Sequence, residues 1–281
     1  MTDISIIDST FDISVTSSYY MSIQANLNGL SFCILDPVTN KYVLFEYKSF
    51  KQPDLHQTQL EEQLITNQYF NRTYKKVMFL YQTDCFALVP TPLFSDDYVK
   101  DILEFNGCQP TAEDHLVTNK INMCDSVNVF AIPRFLYHTL KNQFPEIRFL
   151  HQSTPIIESA LLRKKSLSEF QFLITLQDHS FEIIATHKHH LKLCNTFQYS
   201  NEKDLIYLIL FTFEQLGLSM NQTYIEISGA ISSSDTKYVQ IKRYLKNAVL
   251  APLPPHFLYS EAIHSLESHR FANLFNLTLC V

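Results

Sequence analysis

Met21–Phe50, MSIQANLNGLSFCILDPVTNKYVLFEYKSF, is the stretch that decides the fold. Apolar residues alternate along three short runs, and turn-forming residues separate the runs. Asn28-Gly29 stands between the first two runs, and Asp36–Asn40 between the second and third. Because Asn and Gly both tolerate positive φ, this pair flanked by apolar alternation is a strong hairpin signal. The stretch therefore predicts a three-stranded antiparallel meander.

The same order of elements begins again near Phe170, about 150 residues later. In each half, three strands are followed by a helix and a further strand. A strand reached through a helical crossover pairs parallel with the sheet, and the crossover is right-handed. We therefore expect an α/β protein built from duplicated ribonuclease-H-like units. The expected bounds are an arm or added edge strand over 1–16, a first lobe over 17–167 and a second lobe over 168–281, whose C-terminal segment could pack back on the first.

Composition narrows the class of protein. The 281 residues are 46% hydrophobic with a net charge of −6, which provides for a large core. No block of Lys and Arg is longer than three residues, so the sequence does not favour nucleic-acid binding. The most apolar run, Leu205–Phe213, is much shorter than the roughly 20 residues that span a bilayer. The first ten residues lack the pattern of a signal peptide, which favours a cytoplasmic protein.

The chain contains cysteines and histidines that could serve as metal ligands. The six cysteines are scattered without a CxxC motif, so we expect reduced thiols that fill the core. The densest group of possible ligands is His187, His189 and His190 with Cys194. Zinc is one interpretation. An exposed turn between two strands is the favoured one, because a second ligand pair is not evident.

Glycine is unusually scarce, with four residues in the chain. Average usage of about 7% would give roughly 20. Loops that bind phosphate depend on glycine for positive φ and for close approach of backbone N–H groups. The sequence therefore argues against a glycine-rich phosphate loop.

The opening hairpin also carries a resemblance to known proteins. Ser22–Phe32 resembles the first strand–turn–strand of the actin, heat-shock chaperone and sugar-kinase ATPases, including members associated with pili and secretion. Together with the closing segment His269–Phe275, the arrangement also resembles a bacteroidete family of unknown function with an actin-like ATPase fold. The resemblance covers nearly the whole chain and implies a helix over Phe271–Leu279.

In those ATPases, phosphates and Mg²⁺ lie between two hairpins, each with an Asp followed two residues later by Gly. Gln24 and Asn26 take these places in the first hairpin, and Asn28 and Gly29 form its turn. Gln24 is neutral and cannot offset the charge of Mg²⁺. Asn26 has a side chain where bare backbone is needed.

The second hairpin places Thr175 near the corresponding position and Asp178 in the turn. The later strand Ile225–Ala230 resembles the one that packs on adenosine, which would put Ser228 and Gly229 at the nucleotide. A strand ending in Ser-Gly is also ordinary loop chemistry.

The resemblance therefore implies a degenerate nucleotide cleft without catalytic residues, a metal or a cofactor. We expect a pseudo-ATPase that acts as a cytoplasmic scaffold for protein partners. The alternative is a divergent ATPase or kinase that binds ATP and Mg²⁺, with Asp178 or Asp36 recruited to the metal and Gly229 at the adenosine.

Overall fold

The computed structural model describes residues 3–26, 29–50, 56–163, 170–219 and 223–280. The chain divides into two compact units. The first comprises Met1–Pro155, Pro255–Leu266 and Leu274–Val281, and the second comprises Ile156–Pro254 and Glu267–Asn273.

Strands and helices alternate along both units. The strands are β1 (Ile4–Ile7), β2 (Tyr20–Asn26), β3 (Gly29–Asp36), β4 (Lys41–Ser49), β5 (Lys76–Tyr81), β6 (Phe86–Pro90), β7 (Asp114–Ile121), β8 (Ser126–Pro133), β9 (Arg148–His151), β10 (Phe170–Leu176), β11 (Ser180–His187), β12 (His190–Gln198), β13 (Tyr224–Gly229), β14 (Ala248–Leu250) and β15 (Leu258–Tyr259). The α-helices are α1 (His56–Thr66), α2 (Val99–Phe105), α3 (Arg134–Gln143), α4 (Ser153–Leu162), α5 (Glu202–Gln215), α6 (Thr236–Tyr244), α7 (Glu261–His264) and α8 (Ala272–Asn276).

The predicted meander forms the centre of the first unit. Strands β2, β3 and β4 pair antiparallel, and β5 then pairs parallel with β2, followed by β9. The full order is β1-β4-β3-β2-β5-β9, with β15 also paired to β4. The N-terminal segment, expected as an arm or an edge strand, is an edge strand: β1 runs antiparallel along β4. Its apolar residues alternate in burial, as they should in a strand with one face on the protein.

A smaller sheet, ordered β6-β8-β7, belongs to the same unit and packs on α2. Asn119 of β7 bonds the open side of β9: its Nδ2 donates to the Phe149 carbonyl at 2.7 Å, and the His151 N–H donates to its Oδ1 at 2.9 Å. One buried amide side chain thereby takes the place of a neighbouring strand at this edge.

The predicted duplication is confirmed by the sheet of the second unit, ordered β12-β11-β10-β13-β14. Strands β10, β11 and β12 pair antiparallel, and β13 and β14 are parallel to β10. Both meanders carry a register shift at the same place, between Ile34 and Leu35 in one and between Ala185 and Thr186 in the other. This shared irregularity gives a residue-level alignment of the two halves.

The predicted C-terminal helix is also present. It consists of α8 followed by a 3₁₀ turn over Leu277–Cys280. Tyr42 of β4 anchors this segment, because its hydroxyl donates to the Phe275 carbonyl at 2.5 Å and lies 2.9 Å from the Thr278 hydroxyl. The Phe275 ring packs edge-on against the Tyr42 ring.

The expectation that all six cysteines are reduced is wrong for one pair. Cys85, just before β6, and Cys108, just after α2, form a disulfide with their Cα atoms 5.2 Å apart. That distance lies within the range that a disulfide spans. The two residues are 23 positions apart, and only the packing of α2 on the small sheet brings them together.

Candidate functional site

Gln24 lies on β2, in the first of the two hairpins predicted to bind nucleotide. When the register shifts of the two meanders are aligned, Gln24 and Thr175 come to the same position. Gln24 pairs with Ser31 and Leu80 on the neighbouring strands. Its side chain is half-buried, and its Oε1 is a buried acceptor without a hydrogen-bond donor among the described residues. This position therefore offers a neutral amide where a metal-binding ATPase needs a carboxylate.

Gly29 has a different role from the predicted turn residue. It is the first residue of β3, its backbone pairs with Asn26, and Asn28 lies outside the described residues. The positive φ angles among the described glycines belong to Gly107, Gly217 and Gly229. A Cβ at position 29 would lie 2.4 Å from the Lys48 carbonyl oxygen. Gly29 is therefore required for close packing on β4.

The adjacent ends of β10 and β13 bring together three of the predicted site residues. Thr175 of β10 and Ser228 of β13 are paired in register, and their hydroxyl oxygens lie 3.0 Å apart. Gly229 follows with φ of +96°, and a Cβ there would lie 2.1 Å from the Leu176 carbonyl oxygen. The next residue, Ala230, donates its N–H to the same oxygen at 2.9 Å. These polar groups satisfy one another at the carboxyl ends of two parallel strands.

Asp178 lies in the turn between β10 and β11, within the electrostatic reach of Lys237. Burial acts to lower the pKa of Lys237, but the net change is upward, because its ammonium bonds the Tyr199 hydroxyl at 3.0 Å and lies near Asp235 and Asp178. The Tyr199 hydroxyl in turn donates to the Gln177 carbonyl at 2.6 Å. The negative charge of Asp178 is thus already near a lysine of its own unit.

Asp36, the other carboxylate considered for a metal, is engaged in its own turn. Its carboxylate accepts from the Val38 N–H at 2.9 Å and from the Thr39 hydroxyl at 2.8 Å. Across the described ranges, no three His, Cys, Asp or Glu side chains stand close enough together to hold a metal ion.

The histidine-rich segment forms the favoured turn. Lys188 and His189 have φ of +51° and +60°, and they connect His187 of β11 to His190 of β12. Two successive residues at positive φ are typical of a tight two-residue hairpin turn. His189 Nδ1 lies 3.1 Å from the Leu161 carbonyl, so its ring helps to position the turn.

Sequence reasoning missed a buried polar network at the end of β9. His151 is fully buried, and its Nε2 lies 2.9 Å from the Thr83 carbonyl, so that nitrogen carries the proton. Its Nδ1 accepts from the Ser153 hydroxyl at 2.7 Å, and the Ser153 oxygen accepts from Asn128 Nδ2 at 2.6 Å. Burial lowers the pKa of His151 to about 4. The signal in the sequence was Asn128, a polar residue between two valines in β8.

The serine–histidine pair in this network resembles a nucleophile and its base. Ser153 and His151 are both completely buried, however, and the Phe86 ring stacks on the imidazole at 4.2 Å. A substrate could not reach the hydroxyl without opening the core. The pair therefore fixes the end of β9 and the start of α4.

Comparisons with known proteins agree with this architecture. A protein of known structure from Bacteroides thetaiotaomicron VPI-5482, described as having an actin-like ATPase fold and unknown function, superposes with a TM-score of 0.78. The two are 22% identical, and the match covers 86% of this chain and 94% of that one. A chain of the PilM-PilN type IV pilus biogenesis complex matches with a TM-score of 0.60 at 9% identity, over 92% of this chain and 97% of that one.

At these identities, the likeness establishes the fold, and the chain has the predicted actin-like ATPase fold. None of the curated proteins searched matches the chain. Over the described residues, no helix has both the length and the apolar character needed to cross a membrane. The family model described as "Protein of unknown function (DUF3822)" matches residues 8–248, so the chain belongs to that family.

Proposed function

We propose that this chain is a non-catalytic actin-fold scaffold that binds protein partners. One observation carries the proposal: the two glycines nearest the predicted site, Gly29 in the first hairpin and Gly229 at the end of β13, each pack against a carbonyl oxygen of their own unit. Gly29 faces the Lys48 carbonyl, and Gly229 faces the Leu176 carbonyl. Phosphate is bound by N–H groups, and a carbonyl oxygen at the same place repels it.

The side chains support the same conclusion. Gln24 supplies no negative charge for Mg²⁺, and Asp178 lies near Lys237. The hydroxyls of Thr175 and Ser228 are within hydrogen-bonding distance of each other. Under this proposal, the residues predicted from the sequence to bind nucleotide bind neither ATP nor Mg²⁺ in either unit.

A role in protein binding is supported by exposed aromatic residues. Many aromatic residues belong to the core, among them Tyr19, Tyr69 and Phe70, which are buried. Tyr207 and Phe211 of α5 are instead 64% and 43% exposed, and their rings stack at 6.0 Å. Exposed aromatic pairs of this kind are enriched in protein interfaces. The likeness to a chain of a pilus biogenesis complex is consistent with such a role at the level of fold.

Calorimetric titration with Mg-ATP tests the nucleotide half of the proposal. We expect no heat of binding with up to millimolar nucleotide, and binding in the micromolar range would support the ATPase or kinase alternative. Size-exclusion chromatography of the tagged chain after purification from its native host tests the scaffold half. A stoichiometric protein complex is expected, and elution of the chain alone would count against the scaffold.

The cytoplasmic location is part of the proposal, and fractionation of the native host tests it. We expect the chain in the cytosolic fraction, and recovery with the membrane or the culture medium would contradict that location. The Cys85–Cys108 disulfide argues against this location, because cytosolic thiols are normally kept reduced.

A further inference from the structure

The equivalent strands β4 and β12 differ in whether a further strand pairs with their outer edge. In the first unit, β4 is covered on its outer side: β1 pairs with residues 44–47, and β15 pairs with Lys41 and Tyr42. In the second unit, β12 stands at the end of the sheet with β11 as its neighbour. Within the described ranges, no strand pairs with the other side of β12.

This edge is long and accessible. Strand β12 has nine residues, and each of them is exposed or half-exposed, whereas most of β4 is buried. Leu193 and Phe197 turn one face toward the core of the unit. The edge continues into a pocket of about 670 Å³ whose lining includes Tyr199, Lys203 and Tyr207. An edge of this length is a template for a further strand.

The chain itself shows what chemistry covers such an edge. The covering strand β1 is apolar and lies between two aspartates, in the sequence Asp3-Ile-Ser-Ile-Ile-Asp8. The Asp8 carboxylate lies 2.8 Å from the Lys41 ammonium at one end of β4. The Asp3 carboxylate accepts from the Ser49 N–H at 3.0 Å and lies 3.3 Å from the Lys48 ammonium at the other end. Hydrogen bonds of the backbone are thus flanked by ion pairs.

The uncovered strand presents the same sign of charge. Lys188 and Lys192 are exposed at the N-terminal end of β12, beside His190, in a chain whose net charge is −6. The pKa of the neighbouring His187 is lowered by desolvation and by the positive charges of Lys188, Lys192 and His190. Lys188 lies in the turn before β12 and Lys192 is the third residue of the strand, so both ammonium groups belong to one end of β12, where they can attract one acidic segment.

We propose that β12 binds an extended, apolar segment of a protein partner that carries Asp or Glu at its flank, as an added edge strand. The inference rests on the proposed scaffold function and names the surface and the chemistry of the partner. Backbone hydrogen bonds supply the affinity, and Lys188 and Lys192 select acidic segments over basic ones.

A labelled peptide of the sequence DISIID tests this surface by fluorescence anisotropy, and amide chemical shifts of the full chain locate the contact. We expect binding that shifts β12 and β11, and at least tenfold weaker binding of a peptide in which lysine replaces both aspartates. The double variant Lys188→Glu with Lys192→Glu should weaken binding of the acidic peptide about tenfold. The double variant Lys120→Glu with Lys246→Glu, an equal charge change at exposed sites on β7 and beyond α6, should leave it unchanged.

Thr196→Pro examines the backbone contribution. The Thr196 N–H bonds the Asn195 side chain at 3.0 Å, so its replacement removes a donor from the outer side of the strand. We expect loss of peptide binding with the circular dichroism of the fold retained. Equal affinity for acidic and basic peptides, or shifts confined to other strands, would overturn the proposal. Concentration-dependent dimers that Thr196→Pro abolishes would overturn it too, because the occupant would then be a second copy.

The native complex separates this inference from the proposed function. If the partner recovered with the wild-type chain is still recovered with the lysine double variant, the scaffold stands and the inference about β12 fails. If the wild-type chain has no stoichiometric partner, the proposed function fails, and the peptide titration still decides whether β12 accepts a strand.

Discussion

The sheets of the two units share one topology but differ in what surrounds them. In both, a meander with the same register shift is followed by two parallel strands. The first sheet has its outer edges covered by β1, β15 and the Asn119 side chain, whereas the second has the long strand β12 at its end. The two units therefore share their strand order through the duplication. The added segments β1 and β15 determine which sheet edge remains accessible to partners.

The faces of the sheets also differ in chemistry. The face of the first sheet beneath the C-terminal segment is aromatic, with Tyr42 and Phe45 packed against Phe275. In the second unit, buried polar side chains lie on the sheet instead: Gln171, Thr175, Glu182, Thr186 and Glu226. Buried charge needs a partner, and Arg163 bonds both carboxylate oxygens of Glu226, at 2.5 and 2.9 Å. The first sheet also buries a carboxylate, Glu46, which accepts from Ser5 and Asn67, so both sheets pair their buried charge while the aromatic packing on Phe275 belongs to the first.

The largest expected effect concerns Gly229 and Gly29, the two glycines that pack against carbonyl oxygens. Gly229→Ala combines a positive φ with a Cβ 2.1 Å from the Leu176 carbonyl oxygen, so we expect a loss of about 4 kcal/mol in the free energy of unfolding. Gly29→Ala, which lacks the strain of positive φ, should cost about 2 kcal/mol. Gly217→Ala has positive φ but open space, and should cost about 1 kcal/mol.

Urea denaturation of the three variants measures this order. A Gly229→Ala chain no less stable than Gly217→Ala would show that the Leu176 contact is not close, and would remove the observation that carries the proposed function.

A second prediction concerns the pH dependence of the free energy of unfolding, to which the first unit contributes His151. Because burial lowers the pKa of His151 to about 4, the unfolded chain binds a proton between pH 6.5 and 4 that the folded chain does not. Stability should therefore fall as the pH drops through that window, by about 3 kcal/mol at pH 4. The strand corresponding to β9 is β14, and the next residues there, Ala251 and Pro252, do not titrate.

Denaturation of the wild type and of His151→Gln at pH 7, 5.5 and 4 isolates this contribution. The variant should be less stable at pH 7 but should lose less of its remaining stability on acidification. The same slope in both chains would assign the pH dependence to other groups.

Much of the architecture follows from local patterns in the sequence. Alternation in Met21–Phe50 and its repeat after Phe170 are properties of neighbouring residues, and both were predicted. The helical C-terminus was predicted from the resemblance to the actin-like family, because the local pattern there fits a helix or a strand. The equivalence of Gln24 and Thr175 also follows from the repeat. The role of Gly29 does not, because the Lys48 carbonyl that excludes a side chain comes from another strand.

Two other features lay beyond the sequence for the same reason. The disulfide joins Cys85 and Cys108 across a helix and a small sheet, with no spacing motif. The buried network joins Asn128, His151 and Ser153 from separate elements. Pattern reasoning detects which residues share a face of one element, but it does not detect which elements meet.

The smallest expected effect concerns the covered edge of the first sheet. The pKa of Asp8 is lowered to about 2, chiefly by the hydrogen bond from Lys41 and also by bonds from Thr10. Its stabilising contribution is therefore present above about pH 4 and is lost as the pH falls toward 2. At pH 7, Asp8→Asn should cost about 1 kcal/mol, the modest value of a partly exposed charged pair, and should speed amide exchange in β1 and along β4. Asp12→Asn is the matched control: the Asp12 carboxylate accepts from Ser14 in the next turn, so this change should leave amide exchange in β4 unchanged.

If Asp8→Asn also allows the DISIID peptide to bind β4, then coverage by β1 is what distinguishes the two edges. If exchange quickens while the peptide still binds β12 alone, Lys188 and Lys192 supply a selectivity that β4 lacks.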